Sequence, residues 1–400
     1  MRLLASALLA LAATAARADT SLSDEIGSLG LRATEARLAA LPSPTPDELF
    51  ALGGVRFLGG VERALQLRYR VGLSGGLAVM SGLPVLRLPI EENPAPEPFE
   101  PAMIAQLFEG VEADMEGAIQ ALDAIGDADG VGVGIDTADL WFDIDGDGRR
   151  TVGEGVIEVS AWALSGGFGM EMESLDIRFD TADARWLSAY AHLLAGTSNA
   201  VLATDPTEAI ARVTQARAAF TTLAHPTGIE DFALRYQFGD AADLLAMAVM
   251  AVEGPLDPAR TRAARDHLLA TVRDNRAFWT LVPQETDNDR EWIPNKRQQS
   301  ATGLPFPPET GPLWLAVLSD AEAVLRGDLL IPFWRLEPGA GFDLGAFLQD
   351  PPQDVDLAGL IQGATLLPYL REGPLASGQN LWRFAAMMQG DSALYMVMLN

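Results

Sequence analysis

Apolar residues recur every three or four positions along most of this chain, the spacing of helices that bury one face. Between residues 102 and 124, Ile104, Leu107, Val111, Met115, Ile119 and Leu122 form one stripe. Glu109, Glu112, Glu116 and Gln120 lie on another face and read as solvated. Helix starts are equally legible. Asp205-Pro206-Thr207-Glu208 combines a capping acid, a proline in the first turn and a glutamate that reaches back. Ile210, Val213, Phe220 and Leu223 then continue as its apolar face. Asp257-Pro258 opens a further helix in the same way, with Leu268, Val272 and Trp279 inward, and residues 312–326 form one more that Gly327 stops. Ser21 to Leu41 and Asp47 to Tyr69 read as two helices separated by Pro42-Ser43-Pro44-Thr45-Pro46. Gly53-Gly54 and Gly59-Gly60 imply that the second is either interrupted or packed very closely against a neighbour.

Strand patterns are few: Leu140 to Phe142, Leu175 to Phe179 and Leu394 to Leu399. Pro94-Ala95-Pro96-Glu97-Pro98 reads as a stiff connector, and no repeat of fixed period suggests a solenoid. The expected fold is mainly α, a multi-helix globular bundle with a small β element beside a single calcium loop. One or two closely packed domains fit the length, with a subdivision placed between Gly228 and Gly239.

The N-terminus changes the picture of where the chain works. Arg2, the apolar run Leu3 to Ala13 and the small-x-small triplet Ala16-Arg17-Ala18 predict a signal peptide over residues 1–18, cleaved before Asp19. The expected location is therefore periplasmic or secreted. Lys296 is the only lysine beside many arginines, a balance that points to a bacterial source. Cysteine is absent, so no disulfide framework and no lipid-anchor thiol exist. No later apolar run is long and uncharged enough to imply membrane insertion. Removing Arg2 and Arg17 takes the formal charge from −27 to −29. That surplus argues against nucleic acid or anionic lipid as a partner, since both demand a basic surface.

One run declares a chemistry. Residues 143–154 read Asp-Ile-Asp-Gly-Asp-Gly-Arg-Arg-Thr-Val-Gly-Glu. Asp143, Asp145 and Asp147 stand at the first, third and fifth positions of a loop in which short carboxylates on alternate residues converge on a hard cation. Gly148 falls where the chain must turn, Arg149 offers its carbonyl, Thr151 can hold a water, and Glu154 supplies the closing carboxylate. The run resembles an EF-hand calcium loop, and the resemblance implies Ca²⁺ as the ion and Asp143, Asp145, Asp147, Arg149, Thr151 and Glu154 as its ligand positions. Two departures shape the expectation. Arg150 replaces the apolar β-branched residue that pairs sister loops, which predicts a loop working alone. The preceding Gly130-Val131-Gly132-Val133-Gly134-Ile135 disfavours an entering helix. A strand or irregular segment, the loop, and a short helix from Glu154 through Val159 are expected.

Two further clusters remain as candidates. Phe179-Asp180-Thr181-Ala182-Asp183 starts a helix in which Asp180 caps and Asp183 reciprocates, and Trp186, Tyr190, Leu193 and Thr197 share one face of it. His192, on that helix, is either a base steered by a nearby acid or a hydrogen-bonded structural histidine. With His225 and His267 as its only companions, no zinc spacing exists. The second cluster, Glu285 to Asn295, surrounds Trp292 with charge. Asp287 and Asp289 alternate there, but no glycine turn or twelfth-position acid completes an ion site. Nucleophile elbows, phosphate loops and dinucleotide fingerprints are absent.

The segments Leu83 to Pro89, Phe179 to Leu194 and Glu291 to Asn295 resemble those of a group of exported bacterial proteins with one such calcium loop and no assigned activity. The leading expectation is an exported calcium-binding protein with a structural site and a binding or scaffold role, its protein or small-molecule partner unidentified. The alternative is a periplasmic enzyme drawing on His192 and the acidic loop 285–295.

Overall fold

The computed structural model describes residues 21–73, 90–159, 173–223, 229–388 and 392–399. The predicted signal peptide, the segment Leu83 to Pro89 and His225 lie outside them. Helix accounts for 60% and strand for 8%, so the fold is mainly α. Among the described residues no helix is long and apolar enough to cross a membrane.

The first predicted helix is two, α1 (Leu22–Leu29) and α2 (Leu31–Ala39), broken at Gly30. The second, α3 (Pro46–Arg70), is continuous, opened by a reciprocal Thr45–Glu48 capping box with Pro46 in its first turn. Its glycines mark close approach. A Cβ at Gly53 would stand 2.6 Å from Leu122, and one at Gly60 would stand 2.7 Å from Met115. Both partners lie on α4 (Ala102–Asp123), where Met115 and Leu122 of the predicted stripe are fully buried and Ile104, Leu107, Val111 and Ile119 are partly so. The acidic face of α4 is only partly solvated. Glu109 and Glu116 are exposed. Glu112, however, accepts Arg260 Nη1 at 2.6 Å and Asn199 Nδ2 at 2.8 Å, because another helix packs beside it.

That neighbour is α8 (Pro258–Leu281), capped by Asp257 as expected. Between α4 and α8 runs α5 (Thr181–Thr204), capped by Asp180 with Asp183 reciprocating. Ala184, Ala189, Ala191 and Ala195 are all but fully buried along it. Small side chains let both flanking helices approach this axis, which is why it is the spine of the bundle. In α6 (Thr207–Leu223) Ile210 and Val213 are buried, whereas Phe220 is 64% exposed, so the predicted apolar face ends early. Then α7 (Ile229–Val252) is a single helix and contains residues 229–239. Helix α9 (Thr310–Arg326) ends at Gly327 in the left-handed conformation.

The β element beside the loop is an antiparallel pair, β1 (Gly132–Asp136) with β2 (Asp176–Asp180), in register Val133↔Phe179 and Ile135↔Ile177. The Gly-rich flank is therefore a strand, while Leu140 to Phe142 contributes only the bridge Trp141↔Gly155. A second small sheet was not legible in the sequence: β3 (Ile331–Pro332), β4 (Ala340–Phe342) and β5 (Leu370–Glu372), in that order and antiparallel. The short helices α10 (Leu344–Gln349) and α11 (Leu357–Gln362) accompany it, and α12 (Gln379–Met387) packs on α9.

The expected strand Leu394 to Leu399 is instead a helix, α13 (Ser392–Leu399). A short apolar run fits either element by pattern, and tertiary contacts decide. Here the Leu399 carbonyl accepts Trp314 Nε1, Asn275 Nδ2 also donates to it, and Tyr395 and Leu399 sink into the core around Trp314 and Phe384.

Candidate functional site

The calcium-loop sequence forms a tight loop whose two ends are pinched together. Phe142 N–H donates to the Glu154 carbonyl and Val156 N–H to the Leu140 carbonyl, both at 2.9 Å. Inside, each aspartate turns the chain through a backbone amide. Asp143 accepts Gly148 N–H at 3.2 Å, Asp145 accepts Asp147 N–H at 3.0 Å, and Asp147 accepts Arg149 N–H at 2.7 Å. Gly146 and Gly148 take φ of 78° and 74°, a conformation that favours glycine at both bends. One carboxylate oxygen from each of Asp143, Asp145 and Asp147 lies within 4.8 Å of the others.

Glu154 stands outside that convergence. Its side chain is buried and closes the loop on itself, Oε1 accepting Ile144 N–H at 2.8 Å and Oε2 accepting Thr151 N–H at 2.7 Å. Thr151 is exposed beside it. Arg150 is spent locally, donating to the Ala138 carbonyl at 2.7 Å. Residues 156–159 are helical, so the short following helix begins two residues after the expected start at Glu154. No ion pair to Asp143, Asp145 or Asp147 occurs among the described residues, so three carboxylates face one another with no side-chain cation between them. This donor set, all oxygen and anionic, fits a hard divalent ion.

Two residues that sequence reasoning missed hold the loop to the bundle. Glu62 Oε2 accepts Asp143 N–H at 2.9 Å, and Gln66 Nε2 donates to the Asp143 carbonyl at 2.7 Å. Their only signal in the sequence is a polar pair one turn apart among Val61, Ala64 and Leu65. A polar cleft of about 680 Å³ opens beside the same end of the loop, between α3 and α4, with Arg63, Arg70, Glu97, Asp143 and Asp145 in its walls.

His192 is 8% exposed, and its partners lie on α8 and not in loop 285–295. Its Nδ1 is 2.9 Å from His267 Nδ1, and its Nε2 is 3.6 Å from Asp274 Oδ2. Asp274 also accepts Ser188 Oγ at 3.1 Å and Arg273 Nε at 2.6 Å. Burial pushes the His192 pKa down to about 4, against the pull of Asp274 and with further lowering from His267 and Arg273. Burial lowers His267 as well. At neutral pH both rings are uncharged, and one Nδ1–H donates to the other ring. The sequence did carry a signal for this cluster: His267, Thr271 and Asp274, at i, i+4 and i+7, form a polar stripe on one face of α8.

Loop 285–295 packs at the other end of the same helix. The Trp292 ring lies 5.6 Å from Trp186 and 6.4 Å from Phe179, so two of the three segments singled out by resemblance do meet. Asp287 and Asp289, the alternating acids, remain half-exposed and pair with Arg178, at 3.0 Å and 3.9 Å. The convergence involves other acids. Oxygens of Asp180, Glu285 and Glu291 lie within 4.8 Å of one another, with Asp183 beside them. Burial first, then the Asp180 charge, pushes Glu285 up to about 8. Burial and Asp180 likewise drive Asp183 well above the usual carboxylate range, and burial raises Glu291. Gln298 Nε2 donates to Glu285 at 3.1 Å, and Asp289 N–H donates to Glu291 at 3.0 Å. Glu285 therefore keeps its proton at neutral pH, beside Asp180 and Glu291.

Comparison of the chain with protein-family models, curated proteins and solved structures yields no match, so function has to be argued from this geometry alone.

Proposed function

We propose that the chain is an exported calcium-binding protein in which Ca²⁺, held by the loop 143–154, acts as a structural staple for a binding or scaffold role. One observation carries this reading: the oxygens of Asp143, Asp145 and Asp147 converge, without a pairing cation, in a loop closed at both ends by backbone hydrogen bonds. The Arg149 carbonyl and a water near Thr151 add to the expected ligand set, and Glu154, which here accepts Ile144 and Thr151 N–H, turns into it when the ion binds. The loop works singly, because Arg150 is folded back on Ala138 and no longer resembles the residue that couples paired loops. Single extracellular sites bind at roughly 10⁻⁴ to 10⁻³ M. At about 1 mM free calcium, a dissociation constant near 10⁻⁴ M adds on the order of 1.4 kcal/mol of stability.

The enzyme alternative finds less support. Nδ1 of His192 is hydrogen-bonded to His267, Nε2 faces Arg273 at 3.4 Å and Asp274 at 3.6 Å, and the ring is buried. The test of the leading reading is calorimetric titration of the full chain with CaCl₂. Saturable binding that Asp145→Ala abolishes is expected; equal binding by the variant would overturn the assignment.

A further inference from the structure

Glu62 is a carboxylate with 0% exposure in a helix that packs against the core, and packing alone does not call for it. Burying a carboxyl group costs free energy unless hydrogen bonds compensate. Its compensation is unequal. Oε2 accepts Asp143 N–H, while Oε1 has no hydrogen-bond partner and lies 3.4 Å from Arg32 Nε. One turn later Gln66 takes the carbonyl of the same residue. Both backbone polar groups of Asp143, the first ligand position of the loop, are thus gripped by one face of α3.

The grip extends into the bundle. Arg32, on α2, also reaches Asp114 of α4 at 3.3 Å and the Gly59 carbonyl at 2.8 Å. Arg63, beside Glu62 on α3, donates to both Asp114 oxygens at 2.9 Å and 3.1 Å. A continuous polar path therefore runs from Asp143 through Glu62 and Arg32 to Asp114, joining α2, α3 and α4. Among the described residues, the other hydrogen bonds of the loop are to its own residues or to its immediate flanks.

Resting on the calcium reading above, we propose that Glu62, with Gln66, is a positioning residue of the calcium site and the channel by which calcium occupancy stabilises α3. Two physical effects act together. Fixing the N–H and C=O of Asp143 orients its carboxylate before the ion arrives, so less order is lost on binding. Burial of the Glu62 side chain also keeps water from competing for the Asp143 N–H, so the bond holds one geometry. Outer partners of this kind typically change metal affinity by about 10- to 100-fold when removed.

Glu62→Met keeps the length of the side chain but removes the acceptor for Asp143 N–H. Gln66→Met removes only the bond to the carbonyl. Calcium titration of the full chain, with melting curves in calcium and in chelator, is the test. The expected result is a dissociation constant weakened by about 10-fold or more in Glu62→Met and by a smaller factor in Gln66→Met. The calcium-induced rise in melting temperature should shrink in the same order while helical circular dichroism is retained. A Glu62→Met chain that melts lower in chelator yet binds calcium as the wild type does would reduce Glu62 to packing and overturn the proposal. If that variant does not fold, unchanged affinity in Gln66→Met overturns it instead. Failure of the calcium reading looks different: the wild-type chain itself shows no saturable binding, or Asp145→Ala binds equally.

Discussion

The loop at 143–154 and the corner where β2, α5 and residues 285–291 meet both bring three carboxylates within 4.8 Å, yet they deal with the repulsion in opposite ways. In the loop the acids come from alternate residues of one short stretch, Asp145 and Asp147 face solvent, and backbone amides turn each side chain toward a common point. Nothing there prevents a hydrated cation from entering. At the corner the acids come from separate segments, Glu291 and Asp183 are buried, and the nearby guanidinium of Arg178 is committed to Asp287. Burial raises the carboxylate pKa values and protons do the neutralising. The same local composition thus leaves an open oxygen cluster in one place, the one proposed above to hold an ion, and a proton-bearing contact in the other, and solvent access is what separates them.

The sharpest way to break this contrast is Asp145→Ala. Loss of one of the three converging carboxylates should abolish saturable calcium binding by calorimetry. By contrast, Glu285→Ala or Glu291→Ala should leave calcium affinity unchanged within about twofold, as expected for sites without shared partners. Calcium binding that needs Glu285 would place the ion at the wrong cluster.

The corner should respond to pH where the loop responds to metal. Glu285 holds its proton up to about 8 when folded, against 4.5 for the ordinary group. Its contribution to stability is therefore fully present below pH 4.5 and is lost as pH rises toward 8. Glu285→Gln keeps the neutral form at every pH. The variant should match the wild type near pH 4 and melt a few degrees higher at pH 8. Equal melting temperatures at pH 8 would mean the acid is relieved in another way.

A third buried cluster extends the comparison, since His192 is neutralised by losing a proton. Its pKa is about 4 when folded, against 6.5 for the ordinary ring, so the associated stability is present above pH 6.5 and lost as pH falls through 4. Ring resonances of His192 followed by NMR should stay unshifted from pH 7.5 to 5.5. A midpoint near 6.5 would show that Asp274 outweighs burial.

The smallest effect expected is that of chelation on the wild-type chain. With about 1.4 kcal/mol at stake, removing calcium should lower the melting temperature by a few degrees while helical circular dichroism stays constant. A large change in scattering profile on adding calcium would point to a switch in place of a staple.

Sequence alone determined whatever depends on neighbours along the chain. Helices are set by a three- to four-residue period and by caps such as Thr45–Glu48, Asp180–Asp183 and Asp257, and these are local. The calcium-loop geometry is local too, because its donors and its turning glycines lie within twelve consecutive residues. Tertiary structure decided what long-range packing supplies. The apolar run ending in Leu399 becomes helix because Trp314 and Asn275 claim its last carbonyl. Glu62 and Gln66 acquire meaning only when α3 lies under Asp143, and His192 meets Asp274 only because α8 lies alongside α5. Asp180, legible as a cap, becomes part of a proton-bearing cluster only when Glu285 and Glu291 fold onto it, over a hundred positions away. Burial and the electrostatic shifts it causes are properties of the assembled core, and no spacing along a chain encodes them.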